Sequence, residues 1–255
     1  MRKLYLFLFL AALSVSCSKD KEAEPAIVLS DSDLKLHYDD THQFALTKGT
    51  EAVGATTFKW TSSDTIVGKV DQNGKFTGRR IGTTTIKAAS TDGKTTLQSK
   101  VTVDPYSTLC VEPVTDFKAN QAAVKAKEKR TVLQEDTATI VYKAENAKLR
   151  GVAYGFRKNA LIQSALIFTE TKPVLDEAAL FLAERYEELG EEDGFYFYTD
   201  NKVVVVVTDD ETIGFVALYN PYPAGGLRTS VPLIQTMKAS AKIQLQSIKA
   251  NFKGF

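Results

Sequence analysis

Residues 58–86, FKWTSSDTIVGKVDQNGKFTGRRIGTTTI, decide how the first part of this chain folds. Phe58 and Trp60 alternate with Lys59 and Thr61, the pattern of a strand buried on one face. Asp71-Gln72-Asn73-Gly74-Lys75 is hairpin chemistry, because an Asn-Gly pair accepts the positive φ values a tight turn needs. Phe76 and Ile86 supply inward-facing residues to the strands that follow, and Gly82 punctuates between them. Working outward, the same short alternating runs cover 26–104, with further turn signals at Lys48-Gly49 and Asp92-Gly93 and a stop at Asp104-Pro105. Trp60 is the only tryptophan, and its place in a strand argues for the space between two sheets over a sugar-stacking platform.

Several of these residues carry a family resemblance. Phe58-Lys-Trp60-Thr-Ser-Ser-Asp64, then Val67 and Val70, then Asn73-Gly74-Lys75-Phe76-Thr77-Gly78, then Gly82-Thr-Thr-Thr-Ile86 stand in the order and spacing of a bacterial immunoglobulin-like domain of group 2. The resemblance spans 26–104 and implies a β-sandwich of the kind found in surface adhesins and as a spacer in secreted proteins.

Upstream, residues 1–17 read MRKLYLFLFLAALSVSC. Arg2 and Lys3 form a positive start, Leu4 to Leu13 an apolar stretch too short to anchor in a bilayer, and Ser14 and Ser16 lead to Cys17. This resembles the signal peptide and lipobox of a bacterial lipoprotein, although Ser14 stands where that family usually has Leu. The resemblance implies lipid, palmitate included, on the Cys17 thiol and a tether to the membrane. Residues 18–25, SKDKEAEP, are charged and read as a flexible linker. Charge just behind the cysteine resembles the export tag of some Bacteroidetes lipoproteins, which implies the outer membrane and its outer surface.

Downstream the pattern changes. Residues 110–223 read as an α+β domain of two α-β-β-β units on an antiparallel sheet. The first unit is a helix over 116–130, capped by Asp116, with strands at 137–143, 150–157 and 160–169. The second is a helix over 174–189, stopped by Gly190, with strands at 194–199, 202–208 and 213–219. The order of elements is similar to tandem β-lactamase-inhibitor-like domains, which implies protein binding through an open sheet face. In 195–198, FYFY, alternation separates the phenylalanines from the tyrosines. If Phe195 and Phe197 meet the helix over 174–189, Tyr196 and Tyr198 line the other face as candidate contacts to a protein or a glycan, with Tyr154 or Tyr219 beside them; a sheet covered on both faces is the simpler expectation. The acidic residues Glu184, Glu187, Glu188, Glu191, Glu192 and Asp193 read as a solvated helix end.

Residues 224–255 form a tail with Gly225-Gly226 as a hinge and no acidic side chain. Ile234, Met237, Ala241, Leu245, Ile248 and Phe252 recur at helical intervals, so the tail is expected to be an amphipathic helix starting near Ser230. It could lie on an anionic membrane or in a partner's groove, but packing back on its own domain, against the acidic segments, is the simpler expectation.

The chemistry-bearing residues are sparse. Basic and acidic side chains number 32 and 31, so no global field draws the chain to nucleic acid. Both histidines, His37 and His42, lie in the sandwich, and neither they nor Asp31, Asp33, Asp39 and Asp40 follow a zinc or calcium pattern. No cofactor or metal is expected, and no catalytic motif is present, so the chain is expected not to be an enzyme. With Cys17 lipidated, Cys110 is left without a partner and reads as a buried small hydrophobe. These readings together describe a non-catalytic cell-envelope lipoprotein whose sandwich presents a protein-binding domain. Surface polysaccharide binding and a purely structural envelope role are the alternatives.

Overall fold

The computed structural model describes residues 24–223 and 230–251. Cys17 with its leader, most of the charged linker, the Gly225-Gly226 hinge and Phe252 lie outside the described residues.

The first ten strands are β1 (Ile27–Leu29), β2 (Asp33–His37), β3 (Thr41–Gln43), β4 (Leu46–Lys48), β5 (Glu51–Val53), β6 (Phe58–Ser62), β7 (Gly68–Val70), β8 (Lys75–Gly78), β9 (Gly82–Ser90) and β10 (Thr96–Asp104). They form sheets ordered β2-β10-β9-β6, β1-β4-β5 and β3-β8-β7. All pairs are antiparallel except β2 with β10. The expected core is in place: Phe44, Trp60, Phe76, Ile86 and Val101 pack together, each no more than 2 % exposed. Trp60 satisfies its indole by donating to the Ala55 carbonyl at 2.9 Å. The hairpin between β7 and β8 is closed by Asp71, whose Oδ1 accepts the amides of Asn73 and Lys75. Gly74 is the residue there with positive φ, 78°, and a Cβ on it would lie 2.9 Å from the Trp60 ring. The glycine thus serves both the turn and the close approach of the turn to the core.

The remaining elements are α1 (Gln121–Lys127), β11 (Val132–Glu135), β12 (Thr139–Lys143), β13 (Leu149–Arg157), β14 (Ala160–Phe168), α2 (Lys172–Ala183), β15 (Glu187–Glu192), β16 (Phe195–Thr199), β17 (Val203–Asp210), β18 (Gly214–Pro221) and α3 (Ser230–Asn251). One antiparallel sheet of eight strands runs β11-β12-β13-β14-β18-β17-β16-β15. The two halves meet at β14 and β18, so the second half mirrors the first in order.

This departs from the expected α+β arrangement: the fold is mostly β, and each helix of a pair is followed by four strands, not three. The helix expected over 116–130 is confined to α1, and its cap is Asn120, whose side chain accepts from Ala123 N at 2.8 Å. Asp116 pairs instead with Lys127. The helix expected to reach 189 ends at Ala183, and Glu187–Glu192 is an edge strand. Gly190, with φ of 134°, sits at an irregularity in the β15–β16 ladder and does not stop a helix.

Period-two alternation splits the sheet's side chains between two cores. Val203, Val205 and Val207 of β17 face a cluster that α2 completes with Val174, Ala178, Phe181 and Leu182. Val204 and Val206 face the opposite cluster, completed by Leu233, Ile234, Met237, Ala241, Leu245 and Ile248 of α3. The basic tail therefore packs on its own sheet. Lys238 reaches Glu192 at 3.0 Å and Asp193 at 2.5 Å, and Lys249 reaches Asp210 at 2.6 Å, so its cations meet acidic loops.

A buried hydrogen-bond cluster links the sandwich to the large sheet. Glu184, fully buried at the end of α2, takes the amide of Tyr106 at 2.5 Å and that of Ser107 at 3.1 Å on its carboxylate. Arg185 donates to the same carboxylate at 3.2 Å. The Glu184 carbonyl accepts from Ile81 N at 2.8 Å, in the loop between β8 and β9. The acidic run read as a solvated helix end thus contains a buried carboxylate and an edge strand.

Candidate functional site

Tyr196 and Tyr198 do not line an open sheet face. Phe197 is fully buried against α3, Phe195 packs on the same cluster, and the tyrosines point to the α2 side. There Tyr198 is half-buried against the core, while Tyr154 and Tyr219 are fully buried. Burial, followed by the neighbouring Glu188, raises the Tyr198 phenol. Tyr196 alone remains accessible, 40 % exposed, opposite Glu191 of β15. The tyrosine platform reduces to one ring because this face of the sheet is covered too: the cluster that includes α2 takes in Tyr198 and Tyr219, and the Val114 amide and Glu128 close over Tyr154.

A concave surface lies at the other end of the sheet. A cavity of about 330 Å³ is lined by residues of the 111–114 segment, the end of α1 with the turn after it, and the end of β12. An adjoining recess of about 490 Å³ includes Leu133 and Arg150 and shares Lys143, Ala144 and Glu145 with it. At the floor of the first cavity sits Arg130, with only 5 % of its side chain exposed. Its Nε donates to Glu145, Nη1 donates to Glu128 at 2.9 Å, and Nη2 donates to the Val111 carbonyl at 2.6 Å and to Glu145 at 2.9 Å. Tyr154 donates its hydroxyl to Glu128 and accepts from Val114 N at 3.0 Å. Four of the five N–H donors of the guanidinium thus point to oxygens of this chain.

The electrostatics follow from that pairing. Burial opposes both charges, yet the Arg130 proton is held still more firmly by Glu145 and Glu128, and Glu145 stays below the usual carboxylate range through Arg130 and the Val111 amide. Cys110 lies half-buried beside this group, and burial, then the Glu145 charge, push its thiol up to about 12. It is a protonated thiol at neutral pH, in keeping with its reading as a small hydrophobe. Tyr186 and Glu112 form a neighbouring pair at 2.5 Å. The network is a folded-in ionic lattice that shapes a groove rimmed by Lys127, Lys129 and Lys143. It offers ion pairs and apolar contacts from Val111, Val114 and Ala144 to a bound surface.

The histidines sit apart from this groove. His42 meets Asp31 at 3.0 Å, and His37 stacks on Tyr106 with ring centroids 4.6 Å apart, while Asp40 takes the Tyr106 hydroxyl at 3.2 Å. Among the described residues no group of three His, Cys, Asp or Glu side chains is placed to hold a metal ion. Among the same residues no helix is long and apolar enough to cross a membrane. Sequence reasoning missed the Arg130 lattice altogether. Its members come from the turns after α1 and β12, from β13 and from the 111–114 segment, and no local spacing brings Glu145 to Arg130.

The chain is 29 % identical over 129 residues to an uncharacterized protein of Clostridium acetobutylicum, covering 51 % of this chain and 12 % of that protein. The chain thus spans about an eighth of the length of the curated relative it matches. Among solved structures, a surface layer protein, SbsC (domains 4–9), aligns over 80 % of this chain and 28 % of its own at 13 % identity, with a TM-score of 0.26, too low to argue a shared fold. The segment whose hairpin and Trp60 core were derived above is different: residues 25–103 match, and are recognised as, a bacterial Ig-like domain (group 2).

Proposed function

We propose that this protein is a non-catalytic cell-envelope lipoprotein, tethered through lipid on Cys17, whose Ig-like module acts as a spacer or adhesion domain and presents the large sheet to another envelope protein. The observation that carries this reading is the recognised Ig-like domain coupled through Glu184 to a second body. The leader before Cys17 supports the anchor, and the charged residues just behind Cys17 support a Bacteroidetes-type outer-membrane address. The groove at Arg130 supports binding over catalysis. Its carboxylates and guanidinium are committed to one another, and the nearby thiol is protonated.

The test is fractionation of native cells with metabolic palmitate labelling, followed by affinity purification of the labelled protein. Palmitate on the wild type, its loss with loss of membrane association in Cys17→Ser, and a co-purifying envelope protein are the expected results. A Cys17→Ser protein that stays lipid-labelled and membrane-bound refutes the anchor. Exposure of Tyr196 favours a second reading, capture of polysaccharide. Glycan-array binding that disappears in Tyr196→Ala would establish it over the first.

A further inference from the structure

The two edges of the large sheet are built differently. At one end, β15 carries Glu187, Glu188, Glu191 and Glu192, so two copies of this edge brought together would juxtapose like charges. At the other end, β11 is four residues long with a ladder irregularity between Val132 and Gln134, and it carries one acid, Glu135, in place of a row of glutamates. Residues 131–138 are all exposed, and Val132 and Leu133 stand 40 % and 42 % accessible at the tip of the sheet. Unpaired amides and carbonyls beside exposed β-branched and apolar side chains are a template for another strand.

The sequence along this edge says which strand. Residues 129–136 read Lys-Arg-Thr-Val-Leu-Gln-Glu-Asp: two bases, a polar residue, two apolar residues, a polar residue, two acids. The order is antisymmetric in charge about the Val132–Leu133 bond. Antiparallel pairing with an identical segment places Val132 opposite Leu133, Thr131 opposite Gln134, and the Lys129 end beside the Asp136 end of the second copy. Moving the two-fold axis onto Leu133 keeps base beside acid. Parallel pairing places base on base and acid on acid. Arg130 is committed to Glu128 and Glu145, and Glu135 to Lys125 at 2.8 Å, so Lys129 and Asp136 carry most of the cross-copy attraction.

We propose that two copies of this protein associate through β11, antiparallel and about a two-fold axis, so that two eight-stranded sheets become one continuous sheet. The contact is isologous and closes on itself, because each copy has one such edge and its far edge is guarded by glutamates. The interaction does not rest on the envelope reading above, and it would engage Lys129 and Leu133, which also line the Arg130 groove and its adjoining recess.

Sedimentation equilibrium of the full chain in a density-matched non-ionic detergent tests it. The wild type is expected at twice the mass of the single chain. The double variant Val132→Lys/Leu133→Lys sets cations against each other at the axis and is expected to weaken association at least tenfold, with an unchanged circular dichroism melt because both positions are exposed. Under mild oxidation, an equimolar mixture of Val132→Cys and Leu133→Cys chains is expected to yield a disulfide-linked pair of the two variants, whereas Tyr196→Cys, near the far edge, is not expected to cross-link. A wild type that sediments as a single chain at ~100 µM, the concentration at which weak interfaces are still populated, overturns the proposal. So does a dimer that survives the double lysine variant.

Discussion

Replacing Glu184 with alanine should loosen the joint between the sandwich and the large sheet more than any change on the surface around it. The substitution strips two backbone amides, Tyr106 N and Ser107 N, of a charged acceptor, and Ser107 is only 4 % exposed. Hydrogen bonds to a charged group contribute roughly 1.5–3 kcal/mol each, and an unmet buried donor bears the full desolvation cost. The Tyr106 amide gains some water once the joint opens, so a total of about 3–4 kcal/mol is the reasoned figure. Arg185 retains other company, Glu112 at 3.6 Å and the Phe181 ring at 3.8 Å, and does not add greatly to the loss. Glu184→Gln keeps a carbonyl acceptor and should cost about 1–2 kcal/mol, the difference between a charged and a neutral acceptor. Urea unfolding followed by two probes is the assay. Fluorescence of Trp60, the only tryptophan, reports on the sandwich, and far-ultraviolet circular dichroism is dominated by the larger sheet. The two transitions should coincide in the wild type and separate in Glu184→Ala, with the 105–109 segment becoming sensitive to protease. Coincident transitions in the variant, shifted by less than about 0.5 kcal/mol, the range of an ordinary surface substitution, would refute the reasoning.

Other consequences can be checked in the same way. Gly74→Ala should destabilise the sandwich by at least about 2 kcal/mol in Trp60-monitored unfolding, because the new Cβ meets the indole at 2.9 Å and the backbone is left-handed there. Leu245→Ala should cost about 2–4 kcal/mol, read as a lower urea midpoint by circular dichroism, since the side chain fills the core between α3 and the sheet. Burial alone would raise Asp210, but the Lys249 hydrogen bond and the Thr212 and Ile213 amides outweigh it and hold its carboxyl below the usual range. A depressed folded value gives stability that is present above the unfolded carboxyl range and lost as pH falls through the folded one. Asp210→Asn should therefore narrow the gap between urea midpoints at pH 7 and pH 2 relative to wild type, and an unaltered gap would count against the Lys249 contact.

What could be read in the sequence follows from where the determinants are local. The Asn73-Gly74 turn, the Phe58/Trp60 alternation and the Phe76 and Ile86 positions are set by neighbours two to ten residues away, and the structure places them as read. The stripe from Ile234 to Ile248 is likewise local, and it names a helix with one buried face. The Glu187–Glu192 strand was invisible because nothing in Glu-Glu-Leu-Gly-Glu-Glu favours a strand; its pairing with β16 imposes the conformation. Phe195 and Phe197 could be placed on one face by alternation, but which helix covers that face is a property of the whole sheet. Glu184 looked like one more carboxylate in an acidic run, and only the return of the linker at Tyr106 and Ser107 turns it inward.

The placement of α3 has a consequence for how the chain is made. One face of the large sheet is finished by α2, which precedes half of the strands it covers, whereas the other waits for residues 233–248, downstream of every strand. Until those residues emerge, Val204, Val206, Phe197 and Leu218 have no cover, and the sheet cannot become a stable body during synthesis. On the proposed reading of an exported chain, the element that closes this face is the last of the described elements to cross the membrane. The delay built into the order of elements keeps the large sheet pliable for as long as export would require.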